Sequence, residues 1–137
     1  MKKQKKIIHI GLALIFVCFG YFQANSSSGP IEEKNFGKIK YLTGGVGSDE
    51  REELKSMAMG YNLKLIFAKK NGNYLAGIGV AIYDSEGGLI FDATSEGPWF
   101  FVKMPAGKYK ISSTYADYTI TKNVKIDLKS KRIFFHF

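Results

Sequence analysis

From Asn62 to Phe137 the apolar residues recur with a period of two, and Gly-, Asn- and Pro-containing turns interrupt the pattern at short intervals. Leu63, Leu65 and Phe67 alternate with Asn62, Lys64 and Ile66, and Val80 and Ile82 continue the scheme. Tyr109, Ile111 and Ser113 face away from Lys108, Lys110, Ser112 and Thr114; Val124, Ile126 and Leu128 repeat it, as do Ile133, Phe135 and Phe137 against Phe134 and His136. Successive side chains of a strand point to opposite faces, so this pattern makes sheets with one wet and one dry face. A dry face needs a partner layer. Further strands are expected at Leu89 to Ala93 and Trp99 to Met104, with an Asn71-Gly72 hairpin, a turn at Asp84 to Gly88 and another at Pro105-Ala106-Gly107. Short strands spaced by turns predict an all-β fold, an antiparallel Greek-key β-sandwich of about seven strands.

The period differs before Asn62. Gly44-Gly45-Val46-Gly47 leads into Asp49-Glu50-Arg51-Glu52, where Asp49 would cap a helix and Glu52 close a capping box. Leu54, Met57, Ala58 and Tyr61 follow at helical spacing, and Gly60 lies near the end, so one short N-terminal helix is predicted near 49–60.

The first residues read as targeting. Lys2, Lys3, Lys5 and Lys6 precede a mostly apolar run from Ile7 to Phe22, and Ala24-Asn25-Ser26 supplies small residues for cleavage. The apolar run, interrupted by His9, is shorter than the roughly 20 residues that span a bilayer, so a cleaved signal over 1–26 is expected, not a transmembrane anchor. Residues 27–37 read as a flexible leader and 38–137 as the domain. The expected location is exported, periplasmic or secreted.

Removing 26 of the 137 residues leaves 111, with no Cys and His136 alone among histidines. Taking four lysines from 20 basic residues leaves 16 against 12 acidic ones, so the net charge drops from +8 to about +4. Without Cys, disulfides and cysteine-based zinc clusters are excluded, and stability must come from packing.

From Val80 to Ile111 the chain follows Val80-x-Ile82-x-Asp84-x-x-Gly87 and then Thr94-x-x-Gly97-x-Trp99-x-Phe101-x-x-Met104-Pro105-x-Gly107-x-Tyr109-x-Ile111. This resembles the carboxypeptidase regulatory-like domains of the transthyretin-like sandwich group, with Trp where Phe is usual and Met where Leu is usual. The Gly44 to Phe67 stretch is similar to small exported bacterial proteins that carry the same module. The resemblance implies a fold and no activity. It implies that Trp99 and Phe101 fill the sandwich core from one strand, Met104 plugs its end, Pro105 and Gly107 set the turn, and Tyr109 and Ile111 return to the core.

Candidate chemistry is sparse. The glycines at 44–47 lack the Lys-Ser or Lys-Thr of a phosphate loop and precede four carboxylates. Asp84, Glu86, Asp92 and Glu96 match no calcium-loop spacing. Hydroxyisourate hydrolases share the sandwich class, but they need several His and Arg residues and a Tyr-Arg-Gly-Ser terminus, whereas this chain ends Phe134-Phe135-His136-Phe137. No catalytic residue, metal ligand or cofactor is therefore expected. Lysines gather late in the chain, and Lys108, Lys110, Lys122 and Lys125 are the candidate anion-facing surface. The expected partner is an envelope protein or an anionic or glycan surface, and the compartment excludes nucleic acid. The alternative is a carbohydrate- or cell-wall-binding domain using Tyr74, Tyr83 or Tyr118. A partly exposed aromatic edge at Phe135 and Phe137 would favour homodimer pairing.

Overall fold

The structure, a computed structural model, describes residues 29–137, so the signal expected at 1–26 lies outside the described residues. Its elements are β1 (Lys34–Phe36), β2 (Ile39–Gly44), α1 (Ser48–Met57), β3 (Leu63–Ala68), β4 (Gly79–Tyr83), β5 (Leu89–Thr94), β6 (Trp99–Val102), β7 (Gly107–Tyr115), β8 (Tyr118–Ile126) and β9 (Lys131–His136). Sheet A has the order β1-β2-β6-β3-β9 and sheet B the order β5-β4-β7-β8. The all-β sandwich and the short helix are as expected; the described strands number nine, not about seven.

Between the sheets lies the main core, built from alternate residues of each strand: Leu63, Leu65 and Phe67 of β3, Val80 and Ile82 of β4, Phe91 of β5, Ile111 of β7, Val124 and Ile126 of β8, and Phe135 of β9. Met104 joins this core, and Tyr109 packs at its margin while its hydroxyl donates to the Pro105 carbonyl at 2.8 Å, closing the turn. Central strand β6 contributes Phe100 and Val102 to it.

Trp99 and Phe101 are not in that core. They lie on the opposite face of sheet A, in a second buried cluster with Leu42, Leu54, Tyr61 and Ile66, covered by α1. All four residues of β6 are buried, and a strand buried on both faces carries no alternation from which to read its phase.

Other local departures have simple causes. The leader is not featureless, because Lys34 to Phe36 pairs antiparallel with Ile39 to Tyr41 across a turn in which Gly37 has φ +58°. The Phe36 ring then lies 5.5 Å from Phe91, fastening this hairpin to sheet B. After the turn at Asn71-Gly72 the chain makes only a single bridge, Ala68 to Tyr74, before crossing to sheet B. The β3 edge left open is filled by β9, which runs parallel to it from Leu63–Lys131 to Ala68–His136, the one parallel pair among the described strands.

Helix α1 starts two residues earlier than the capping box requires, so Gly47 is the N-cap and no side chain caps it. Asp49 and Glu50 instead stand in the first turn, where carboxylates favour the helix dipole. Arg51 ties the helix to the glycine loop through a 2.9 Å hydrogen bond to the Gly45 carbonyl. Leu128 falls beyond the end of β8 in a turn and is 99% exposed, so it does not extend the Val124 and Ile126 stripe. Gly107 has no positive φ; an added Cβ would instead crowd the Tyr109 ring, 3.3 Å from its hydroxyl. The position that demands glycine is Gly97, where a Cβ would run into the Gly44 carbonyl.

Candidate functional site

The outer face of sheet B takes the residues that alternate with its core positions. On β7 these are Lys108 and Lys110; Lys108 stands directly opposite Lys125 of β8, and Lys110 stands between Tyr83 of β4 and Asn123 of β8. The Lys110 ammonium is 5.2 Å from the Tyr83 ring centre, a cation resting on an aromatic face. A shallow hollow of about 510 Å³ is bounded by Lys108, Lys110, Asn123, Lys125 and Asp84.

Asp84 is already engaged, since its Oδ1 accepts the backbone N–H groups of Glu86 at 3.0 Å and Gly88 at 2.8 Å. The ion pairs among the described residues are Lys34–Glu96, Lys40–Glu33 and Lys55–Glu52, none of which involves these three lysines. Like charges directly across a strand pair repel. Lys108 and Lys125 therefore repel across the strand pair, and with Lys110 they outnumber Asp84, whose carboxylate bounds the same hollow.

Lys122 does not share this face. Its register partner is the buried Ile111, so it projects on the inner side of edge strand β8. There it crosses to sheet A, donating to the Phe134 carbonyl at 2.6 Å with its ammonium 5.2 Å from the Phe135 ring.

The three tyrosines singled out for sugar binding occupy separate places. Tyr74 lies beside Arg51, whose guanidinium is 5.7 Å from its ring, and Tyr83 lies under Lys110. Tyr118 is 59% exposed and meets Phe137 edge-on at 6.3 Å; Tyr115 meets the same ring at 5.8 Å. These three rings, with Lys69 and Asp117, bound a second, mainly apolar hollow of about 510 Å³. His136 is exposed and stacks on Phe134 at 6.0 Å. Of the four carboxylates weighed for calcium, Asp84 closes the turn that also holds Glu86, Glu96 pairs with Lys34, and Asp92 faces out from β5 opposite Ala81.

Two residues on sheet A carry more than the sequence pattern conveys. Asn62 clamps the end of β6, donating to the Met104 carbonyl at 2.7 Å and accepting the Met104 N–H at 2.8 Å. Lys64 projects onto the helix-covered side, where its ammonium stands 3.3 Å from the centre of the Trp99 ring and 5.1 Å from that of Phe101. Burial, with the charges of Arg132 and Lys55 behind it, pushes the Lys64 pKa down to about 8. Nearby, burial and the hydrogen bond to Glu33 hold the Tyr61 hydroxyl protonated well above the ordinary tyrosine range.

No protein-family model matches the chain, and no curated protein matches it either. No helix among the described residues is long and apolar enough to cross a membrane.

Proposed function

We propose that this chain is a noncatalytic, exported binding module that holds an anionic surface of the cell envelope against the outer face of sheet B. The observation that carries this reading is the Lys108 and Lys125 pair with Lys110 beside it, three ammonium groups around one hollow and no carboxylate partner among the described residues. The basic, apolar segment at 1–26 supports export. The Val80 to Ile111 pattern supports kinship with carboxypeptidase regulatory-like domains, a resemblance that carries a fold and no activity. A lysine near an anionic membrane surface contributes about 1 kcal/mol, so three give a weak and salt-sensitive attachment. Such a module acts by adding to other contacts rather than by gripping one ligand.

The test is cosedimentation of the protein, purified from its native envelope, with phosphatidylglycerol vesicles over a salt series. Lys108, Lys110 and Lys125 all changed to Gln should lose most of the binding and flatten its salt dependence. A charge-matched control with Lys38, Lys69 and Lys70 changed to Gln should retain it. Equal losses in both would mean that net charge, not this face, attracts the surface.

A second reading, carbohydrate or cell-wall binding, is favoured by the Tyr115, Tyr118 and Phe137 hollow. Sugars pack their apolar faces on aromatic rings, and Asp117 and Lys69 at the rim supply polar contacts. Titration with chitotetraose, followed by chemical shifts of the Tyr118 and Phe137 rings, checks it; Tyr118→Ala should abolish a genuine response.

A further inference from the structure

The register of sheet A places two cations side by side on the side that α1 only partly covers. Arg132 of β9 is the parallel partner of Lys64 of β3, and Lys64 is the antiparallel partner of Phe101 of β6, so one row reads Arg132, Lys64, Phe101 across three strands. This row floors a cleft of about 610 Å³ between the C-terminal end of α1 and β9, with Lys55, Met59 and Tyr61 along its other side. Among the described residues Lys55 is paired with Glu52, and Glu33 is taken by Lys40 and the Tyr61 hydroxyl, but neither Lys64 nor Arg132 has a carboxylate partner. Two adjacent cations in a partly desolvated row repel each other. An anion between them converts that repulsion into two charge-assisted contacts.

We propose that this cleft binds a small organic anion, a carboxylate or phosphate group carried on an apolar body. Arg132 presents a planar fork suited to two oxygens of such a group, and Lys64 adds a point charge from beneath. The Lys64 ammonium is held over the Trp99 ring before any ligand arrives, which reduces the side-chain freedom lost on binding. The apolar body has a matching wall in Phe101, Ala58 and Met59, the last of which is 84% exposed. This site lies on the opposite sheet from the lysine hollow and does not depend on it.

Trp99 is the only tryptophan, so its fluorescence reports on this layer alone. Octanoate titrated into the full chain should give a saturable change in Trp99 emission and a matching calorimetric signal, whereas octanol, the same body without the charge, should give neither. Arg132→Gln, at an exposed position, should weaken octanoate binding by about tenfold or more, the scale of one lost charge-assisted hydrogen bond. Lys64→Met should do the same by calorimetry, and Lys108→Gln on the other sheet should change nothing. Octanol binding as well as octanoate would overturn the proposal by showing a merely apolar cleft. Unaltered octanoate affinity in Arg132→Gln would overturn it too, as would loss of affinity in Lys108→Gln.

Discussion

Strand β6 packs two unlike cores, one on each side. Toward sheet B, Phe100 meets Phe91 at 5.8 Å and Phe67 at 6.4 Å, edge to face, within a cluster drawn from both sheets. Toward α1, Trp99 meets Phe101 edge-on at 6.3 Å, under a smaller cluster roofed by Leu54 and partly by Met57 and Ala58. The first core is dry and enclosed by two hydrogen-bonded sheets. The second is roofed by one short helix, and its rim is cationic, with Lys64 over the indole and Lys55 5.8 Å and the Arg51 guanidinium 6.0 Å from it. The sandwich core thus secures the fold, while the helix side trades some enclosure for charged groups close to aromatic rings.

Mutations can break this comparison. Phe100→Ala should be the most damaging, costing about 3–5 kcal/mol in a denaturant melt because two rigid sheets cannot close the void. Trp99→Ala should cost nearer the lower end, about 3 kcal/mol, because α1 can settle toward the sheet. A larger loss at Trp99 than at Phe100 would make the helix layer the principal core. Gly97→Ala should cost roughly 1–3 kcal/mol through the forced contact with the Gly44 backbone, which holds β2 and the helix loop against the approach to β6.

The smallest effect is the sharpest test of the cationic rim. Lys64 has a folded pKa near 8, below its ordinary value of 10.5, because burial and the charges of Lys55 on α1 and Arg132 on β9 disfavour its charged form. Between those values the unfolded chain binds more protons than the folded one, so stability should rise as pH increases from about 8. Tyr61, held protonated by the fold, opposes this above about pH 10. Lys64→Met should remove the rise between pH 8 and 10, as followed by thermal melting; an unchanged profile would place its source elsewhere.

Much of the strand arrangement is legible in the alternation. On β7 the split between Tyr109, Ile111 and Ser113 and their lysine and hydroxyl neighbours gives the correct inner face. The Asp84 to Gly88 turn is equally plain, since its aspartate serves the backbone of its own loop. What was hidden had no local signal. Three-residue β1 is too short for a period, and Trp-Phe-Phe-Val of β6 is apolar throughout, so its phase is silent.

The candidate surface divides in the same way. Lys108 and Lys110 are two apart on one strand and therefore share a face. Lys122 and Lys125 are three apart on β8 and cannot, a constraint present in the sequence that their shared charge obscures. The row of Arg132 beside Lys64 depends on parallel pairing between strands far apart in the chain, and no spacing within either segment announces it.

That parallel pairing also orders events in time. Residue 131 joins residue 63 across 67 intervening positions, a costly closure of the kind that slows folding. Until then Leu63-Lys64-Leu65-Ile66-Phe67-Ala68 presents an unpaired backbone edge with high β-propensity and a single charge. Segments of that description associate with their own copies. Docking of β9 is consequently the step that covers this edge, leaving as the exposed edge the six residues of β9 itself, which carry Lys131 and Arg132 at their start.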